Sequence, residues 1–157
     1  MRKQMTVAVY YDDDKILLAM KKRGFGVDRY NGFGGRVETG ETIEECAKRE
    51  IFEEGGIVVE DLEKRGVVDF EFDGKTGEVL EVNFFRILKY TGLPRETDEM
   101  RPEWFKVDSL PYEKMFPADR VIFPYLLGGQ KFSGRVLYNQ SLDAIVEKDI
   151  RVVDSLE

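Results

Sequence analysis

The sequence predicts an α+β domain in which strands outnumber helices. Three observations carry that expectation. Most of the chain alternates apolar and polar residues with the period of two that a half-buried strand needs. Only two stretches, one between Thr42 and Gly55 and one from Pro117 to Leu127, read as helices. These helices do not alternate regularly with the strands, as a purely parallel sheet would require.

Taken in order, Thr6 to Tyr11 alternates and is rich in β-branched residues, Asp12-Asp13-Asp14 makes a turn, and Lys15 to Met20 returns as a second strand. The three aspartates lack the spacing and closing glutamate of a calcium loop, which leaves a solvated turn. Met20 to Val37 carries glycines at 24, 26, 32, 34 and 35, the mark of a loop followed by a strand that another group approaches closely. No Gly-Lys-Ser/Thr ending follows, so this is not a P-loop. Lys21, Lys22, Arg23 and Arg36 are nevertheless of a type to meet phosphate oxygens.

Thr42 followed by Glu45 forms a capping box, and Gly55-Gly56 stops the helix that begins there. Ile57 to Phe72 and Glu78 to Tyr90 are long strands joined through Asp73-Gly74-Lys75-Thr76-Gly77. Glu103 to Val107 is a short strand. Pro117 to Leu127 is a helix interrupted or kinked at Pro124 and ended by Gly128-Gly129. Lys131 to Gln140 and Ala144 to Val153 close the pattern. There is no internal repeat, linker or low-complexity tract, so one domain over residues 1–157 is expected.

Composition narrows the chemistry. The chain has no histidine, which removes an imidazole base and every Ser-His or Cys-His nucleophile. A net charge of −7 argues against stable nucleic-acid binding, while a free nucleotide stays admissible if a metal carries the phosphate charge. The single cysteine, Cys46, excludes an internal disulfide and fits a reducing cytoplasm. No apolar run approaches membrane-spanning length, and the opening residues lead straight into a strand without a leader-like pattern. A monomer acting on a small molecule is expected.

The acids of the first helix stand out. Glu50, Glu53 and Glu54 are spaced i, i+3, i+4 and therefore share one face. A solvated face is the commoner fate of such a group. Here, however, the three share an arc with Ile43, Cys46 and Ala47, the side expected to face the core, while Glu44, Glu45 and Lys48 mark the solvent side. Inward-leaning carboxylates need a counter-charge, and oxygen ligands without histidine suit magnesium first and manganese second.

The stretch Gly35 to Ile57 resembles the Nudix family. Gly35, Glu41, Arg49, Glu50, Ile51, Glu53, Glu54, Gly56 and Ile57 occupy every fixed position of the Nudix box, a coincidence on the order of 10⁻⁹ per start position at average residue frequencies. The resemblance implies a Nudix fold, an α/β/α sandwich around a mixed β-sheet. It also implies metal-dependent hydrolysis of a nucleoside diphosphate linked to another group.

Outside the box, MKKRGFG at 20–26, RYNGFGG at 29–35 and ETDEMRPEWF at 96–105 resemble the oxidised-purine nucleoside triphosphatase branch, whose members cleave 8-oxo-dGTP to the monophosphate and pyrophosphate. The resemblance implies that Gly34 offers a carbonyl, and Glu50, Glu53, Glu54 and Glu99 their carboxylates, to magnesium, with manganese as a substitute. Glu50, Glu54 and Glu99 are each candidates for the base. Arg49 and Glu41 would orient the catalytic glutamates. Thr6, Lys21, Asn31, Phe33, Gly34, Gly35 and Arg36 would line the nucleotide site, with Phe25, Phe72, Met100 and Phe116 around the base and Asp119 reading it.

One departure is visible. Members of the animal-type branch carry tryptophan, proline and two aspartates where this chain has Phe116-Pro117-Ala118-Asp119, so one acid is missing. Two rival readings remain from sequence: another nucleoside diphosphate derivative as substrate, such as ADP-ribose or a dinucleoside polyphosphate, or a nucleotide-binding module without activity.

Overall fold

The computed structural model describes residues 1–156. In chain order its elements are β1 (Arg2–Tyr11), β2 (Lys15–Lys21), β3 (Tyr30–Asn31), α1 (Ile43–Gly55), β4 (Val58–Phe72), β5 (Val79–Thr91), β6 (Met100–Lys106), α2 (Asp119–Leu127), β7 (Lys131–Tyr138) and β8 (Ile145–Val153). The strands form one mixed sheet ordered β3-β2-β1-β5-β4-β7-β8, with β6 paired along β2. β1 and β5 are parallel neighbours, as are β4 and β7; the remaining pairs are antiparallel.

Alternation along the strands sorts side chains onto two faces. Val9, Ile16, Leu18, Val82 and Phe84 pack in one cluster with Ile122, Phe123 and Leu126 of α2. Ala8, Leu17, Ala19, Phe85 and Ile87 pack in the other with Ala47 and Ile51 of α1. The two helices therefore cover opposite faces, and the molecule is an α/β/α sandwich.

α1 starts where its capping box sets it. The Glu45 N–H donates to Thr42 Oγ1 at 3.1 Å and the Thr42 N–H donates to Glu45 Oε1 at 2.9 Å; such a cap contributes about 1 kcal/mol. It ends at Gly56, in the left-handed region at φ 74°. α2 is not interrupted at Pro124. The proline and the preceding-turn residue Arg120 both face solvent, so the one carbonyl left without an intrahelical donor has access to water.

Two strands begin earlier than expected. β1 starts at Arg2 because residues Arg2 to Tyr10 pair in parallel with Val79 to Ile87, and Arg2 is matched to Asp69 at 2.8 Å and Glu81 at 3.2 Å. The polar start hid this pairing. β6 starts at Met100, opposite Lys21, and runs through Pro102; a proline is tolerated there because β6 lies at an edge of the sheet.

Candidate active site

The site is built where the 32–36 segment crosses β1 beneath the C-terminal half of α1. Ala8 N–H donates to the Phe33 carbonyl at 2.6 Å and Thr6 N–H to the Gly35 carbonyl at 2.8 Å, which pins the segment to the strand. The approach is so close that a Cβ on Gly34 would lie 1.7 Å from the Thr6 carbonyl oxygen. A Cβ on Gly35 would lie 2.6 Å from the Glu50 carboxyl carbon. Glycine is required at both positions to let backbone and acid meet.

Glu54 is buried, at 4% exposure, and its Oε1 accepts from the Gly34 N–H at 2.9 Å. Burial pushes its pKa up to about 7, against the pull of that N–H, and the neighbouring Glu50 charge adds to the rise. Glu50 is half-buried and raised as well, chiefly by burial, with Arg49 opposing. Arg49 is the organiser of the box. Its Nε and Nη2 donate to Glu41 at 2.6 and 2.9 Å, and its Nη1 donates to Glu50 at 2.7 Å and to Glu53 at 3.4 Å. The hydrogen bond from Arg49 holds Glu41 down at about 2.

The inward lean expected of all three glutamates holds for Glu54 and partly for Glu50. Glu53 is different: its side chain is 55% exposed. It stands one residue back from the buried arc that Ile51, Glu54 and Gly55 define, and it borders the cluster from the solvent side.

Glu99 arrives from the loop between β5 and β6. Thr97 fixes that loop: its Oγ1–H donates to the Glu54 carbonyl at 3.0 Å and accepts from the Glu99 and Met100 N–H groups at 3.3 and 3.2 Å. The carboxylate of Glu99 accepts from Arg23 at 2.7 Å, which lowers its pKa. Sequence reasoning did not single out Thr97, whose role depends on contact across the fold.

Among the described residues, no three acidic side chains converge closely enough to hold an ion as they stand. Arg49 holds Glu50, and Arg23 holds Glu99. The donor set nevertheless fits a hard divalent cation. Glu54 is a buried carboxyl group with no ion pair among the described residues, and the like charges of Glu50 and Glu99 repel its ionised form, a set of oxygen ligands that a cation would relieve.

A cleft of about 250 Å³ leads away from Glu54. Thr6, Lys21, Gly34 and Gly35 line it at the acidic end. Asn31, Phe25, Phe72, Met100, Phe116 and Asp119 line the rest. Asn31 Oδ1 accepts from the Gly32 N–H at 2.8 Å, which fixes the direction of its amide. Asp119, at 6% exposure, stands in the first turn of α2, where burial pushes its pKa up to about 7. The Arg29 guanidinium lies 4.6 Å over the Phe116 ring and donates to the Met115 carbonyl at 2.9 Å. Phe116 in turn stacks on Phe25 at 5.5 Å.

Two expected lining residues are not in the cleft. Phe33 is fully buried in the α1 cluster, with its ring beneath Gly55, because alternation along its segment turns it to that face. Arg36 is exposed, and its backbone carbonyl accepts from Arg49 at 3.3 Å. Arg29, Leu80, Tyr138 and Leu142 line the cleft without having been singled out. Arg29 stands two residues before Asn31, so the period of a strand would have found it; Leu142 sits in a turn and gives no such signal.

A match to the Nudix domain spans residues 1–126. The chain belongs to the Nudix family. It is 45% identical over 154 residues to an oxidized purine nucleoside triphosphate hydrolase of Danio rerio, covering 98% of this chain and 97% of the relative. A protein of the same description from Mus musculus is 45% identical over 150 residues, covering 96% and 95%. Among solved structures, a MutT protein from Bacillus halodurans superposes with a TM-score of 0.84 at 26% identity, covering 94% of this Nudix chain and 97% of that one.

Proposed function

We propose that the protein hydrolyses oxidised purine nucleoside triphosphates, 8-oxo-dGTP among them, to the monophosphate and pyrophosphate. One observation carries the reading. A single cleft joins the acidic end at Glu54, Gly34 and Lys21 to a base-reading end at Asn31, Asp119 and Phe116. The Danio and Mus relatives carry the matching description.

In this reading Glu50, Glu53 and Glu54, the Gly34 carbonyl and Glu99 would hold magnesium, with manganese as a substitute. When bound, the metal neutralises phosphate charge and polarises the bond to be broken. Arg49 and Glu41 keep the glutamates in place, and Lys21 faces the phosphates. A water oriented by a carboxylate attacks phosphorus in line; the new P–O bond forms as the α–β anhydride bond breaks, and pyrophosphate leaves. Asp119, protonated below about 7, offers a donor while its other oxygen accepts from Phe116. With the Asn31 amide it presents the donor and acceptor that the C6 carbonyl and N7–H of 8-oxoguanine require. The protein acts as a cytoplasmic monomer on free nucleotides, in keeping with its charge of −7.

The test is magnesium-dependent release of pyrophosphate from 8-oxo-dGTP, run beside dGTP, ADP-ribose and a dinucleoside polyphosphate. Preferential turnover of 8-oxo-dGTP with pyrophosphate as product is expected. Release of orthophosphate instead, or preference for either diphosphate derivative, would overturn the proposal.

A further inference from the structure

The base end of the cleft holds a hydroxyl that the reading above does not use. Tyr138, the last residue of β7, lines the cleft together with Asp119 and is 5% exposed. We propose that Tyr138 is a further specificity-determining residue, whose O–H donates to the C6 carbonyl of an oxidised guanine nucleotide. The proposal rests on the nucleotide reading and deepens it, because Tyr138 supplies a second polar group where Ala118 supplies none.

Packing fixes where the hydroxyl lies. The Tyr138 ring stacks on Phe70 at 5.8 Å and 14°, and on Phe72 at 6.2 Å and 12°. Its oxygen accepts from the N–H of Ala118 at 3.0 Å, at the N-cap of α2 and one residue before Asp119. The hydroxyl thus stands at the turn of α2 that carries Asp119, close enough for the Asp119 charge to act on it. A base edge that meets the Asp119 carboxyl group therefore meets the phenol as well.

The chemistry of the hydroxyl selects what it reads. A phenol has one proton to give and two lone pairs. The Ala118 N–H uses one lone pair, and among the described residues no group accepts the proton. Burial pushes the Tyr138 pKa up, so the group stays a neutral donor. A buried donor without a protein partner is costly, and the cleft is the space where a partner can stand. A C6 carbonyl has two lone pairs, so it takes this donor in addition to one from Asn31 or Asp119. An amino group at C6 would have to donate to an oxygen already engaged by Ala118. It would also leave the hydroxyl proton without an acceptor.

The experiment measures kcat and KM of the native protein and of Tyr138→Phe for 8-oxo-dGTP and 2-amino-8-oxo-dATP, which differ at C6 and the adjoining N1. The variant keeps the ring and its contacts with Phe70 and Phe72. KM for 8-oxo-dGTP is expected to rise by about tenfold at nearly constant kcat, while kcat/KM for the 6-amino nucleotide moves by less than about twofold. A purely structural role through Ala118 would lower both nucleotides in the same proportion. That result, or unchanged KM for 8-oxo-dGTP, overturns the assignment of Tyr138. The native protein gives a second measurement, independent of how the variant folds. With tyrosine labelled by carbon-13 at Cζ, saturating 8-oxo-dGMP should move one of the seven tyrosine signals downfield, and 2-amino-8-oxo-dAMP should not. The same response to both ligands, or none, overturns the assignment. Absence of pyrophosphate release from 8-oxo-dGTP by the native protein overturns the nucleotide reading and this inference with it.

Discussion

The backbone N–H of Phe116 donates to Oδ2 of Asp119 at 3.1 Å. Among the described residues it is the one hydrogen bond at a carboxyl group otherwise enclosed by the α2 cluster and the cleft. Burial outweighs both that bond and the nearby Arg29 charge, and the group rises from 3.8 to about 7.

Asp119 therefore links stability to pH. Between about 4 and 7 the folded state holds a proton that the unfolded chain has released, so stability falls as pH rises through this window and levels off above it. Asp119→Asn keeps an acceptor for the Phe116 N–H and removes the titration. Urea unfolding of the native protein at pH 5 and pH 8 should differ by about 2–3 kcal/mol more than unfolding of the variant does. Identical pH dependence in the two proteins would show that Asp119 is ionised in the fold.

Gly35→Ala should separate folding from activity. The added Cβ meets the end of a flexible side chain, Glu50, which can swing away. Urea stability should change by less than about 1 kcal/mol, as for substitutions that force no core rearrangement. Turnover should fall by about 10²-fold as Glu50 leaves its place, the scale of losing one preorganised electrostatic group. A destabilised protein with normal kcat would reverse the assignment.

Glu53→Gln tests the exposed member of the acidic face. Its contact with Arg49 is long at 3.4 Å, so thermal stability should be unchanged. Activity at saturating magnesium should drop by about 10²-fold, the equivalent of about 2.7 kcal/mol of lost charge stabilisation. Near-normal turnover would remove Glu53 from the ligand set.

Asn31→Ala deletes the amide that the Gly32 N–H orients. KM for 8-oxo-dGTP should rise by about tenfold, with a smaller effect on dGTP. An equal effect on both nucleotides would mean that Asn31 supports the strand and does not read the base.

Ala118 is buried in the α2 cluster, and its N–H donates to the Tyr138 hydroxyl at 3.0 Å. One acid therefore serves the base end of the cleft. The native protein should favour 8-oxo-dGTP over 2-oxo-dATP by about 10- to 100-fold in kcat/KM, the value of one polar contact. Equal efficiencies would sink this.

The readable parts of this chain were those with a local signal. The capping box fixed the start of α1 because Thr42 and Glu45 satisfy each other without help from the rest of the fold. The spacing of Glu50 and Glu54 located the acidic end because helix geometry alone puts them together. Glu53 was misjudged for the same reason: a shared face does not say where the core boundary cuts across it. Phe33 and Phe116 look alike in sequence, but the register of β1 against the 32–36 segment turns Phe33 toward α1, while Phe116, held just before α2, faces the cleft. Thr97 and Leu142 act through long-range contacts and a backbone conformation that no short window encodes.

The order of strands also governs how the molecule is made. β1 has its long partner in β5, and the second edge of β4 is filled only by β7, beginning at Gly66 opposite Phe132. During N-to-C synthesis the first strand thus waits for the middle of the chain, and the central hairpin waits for nearly all of it. A nascent or truncated chain stopped before β7 keeps the β4 edge open, with Val68 and Phe70 beside it, a template for pairing with other chains. Productive folding is therefore post-translational and slow for the chain's size, because its decisive pairings are remote in sequence.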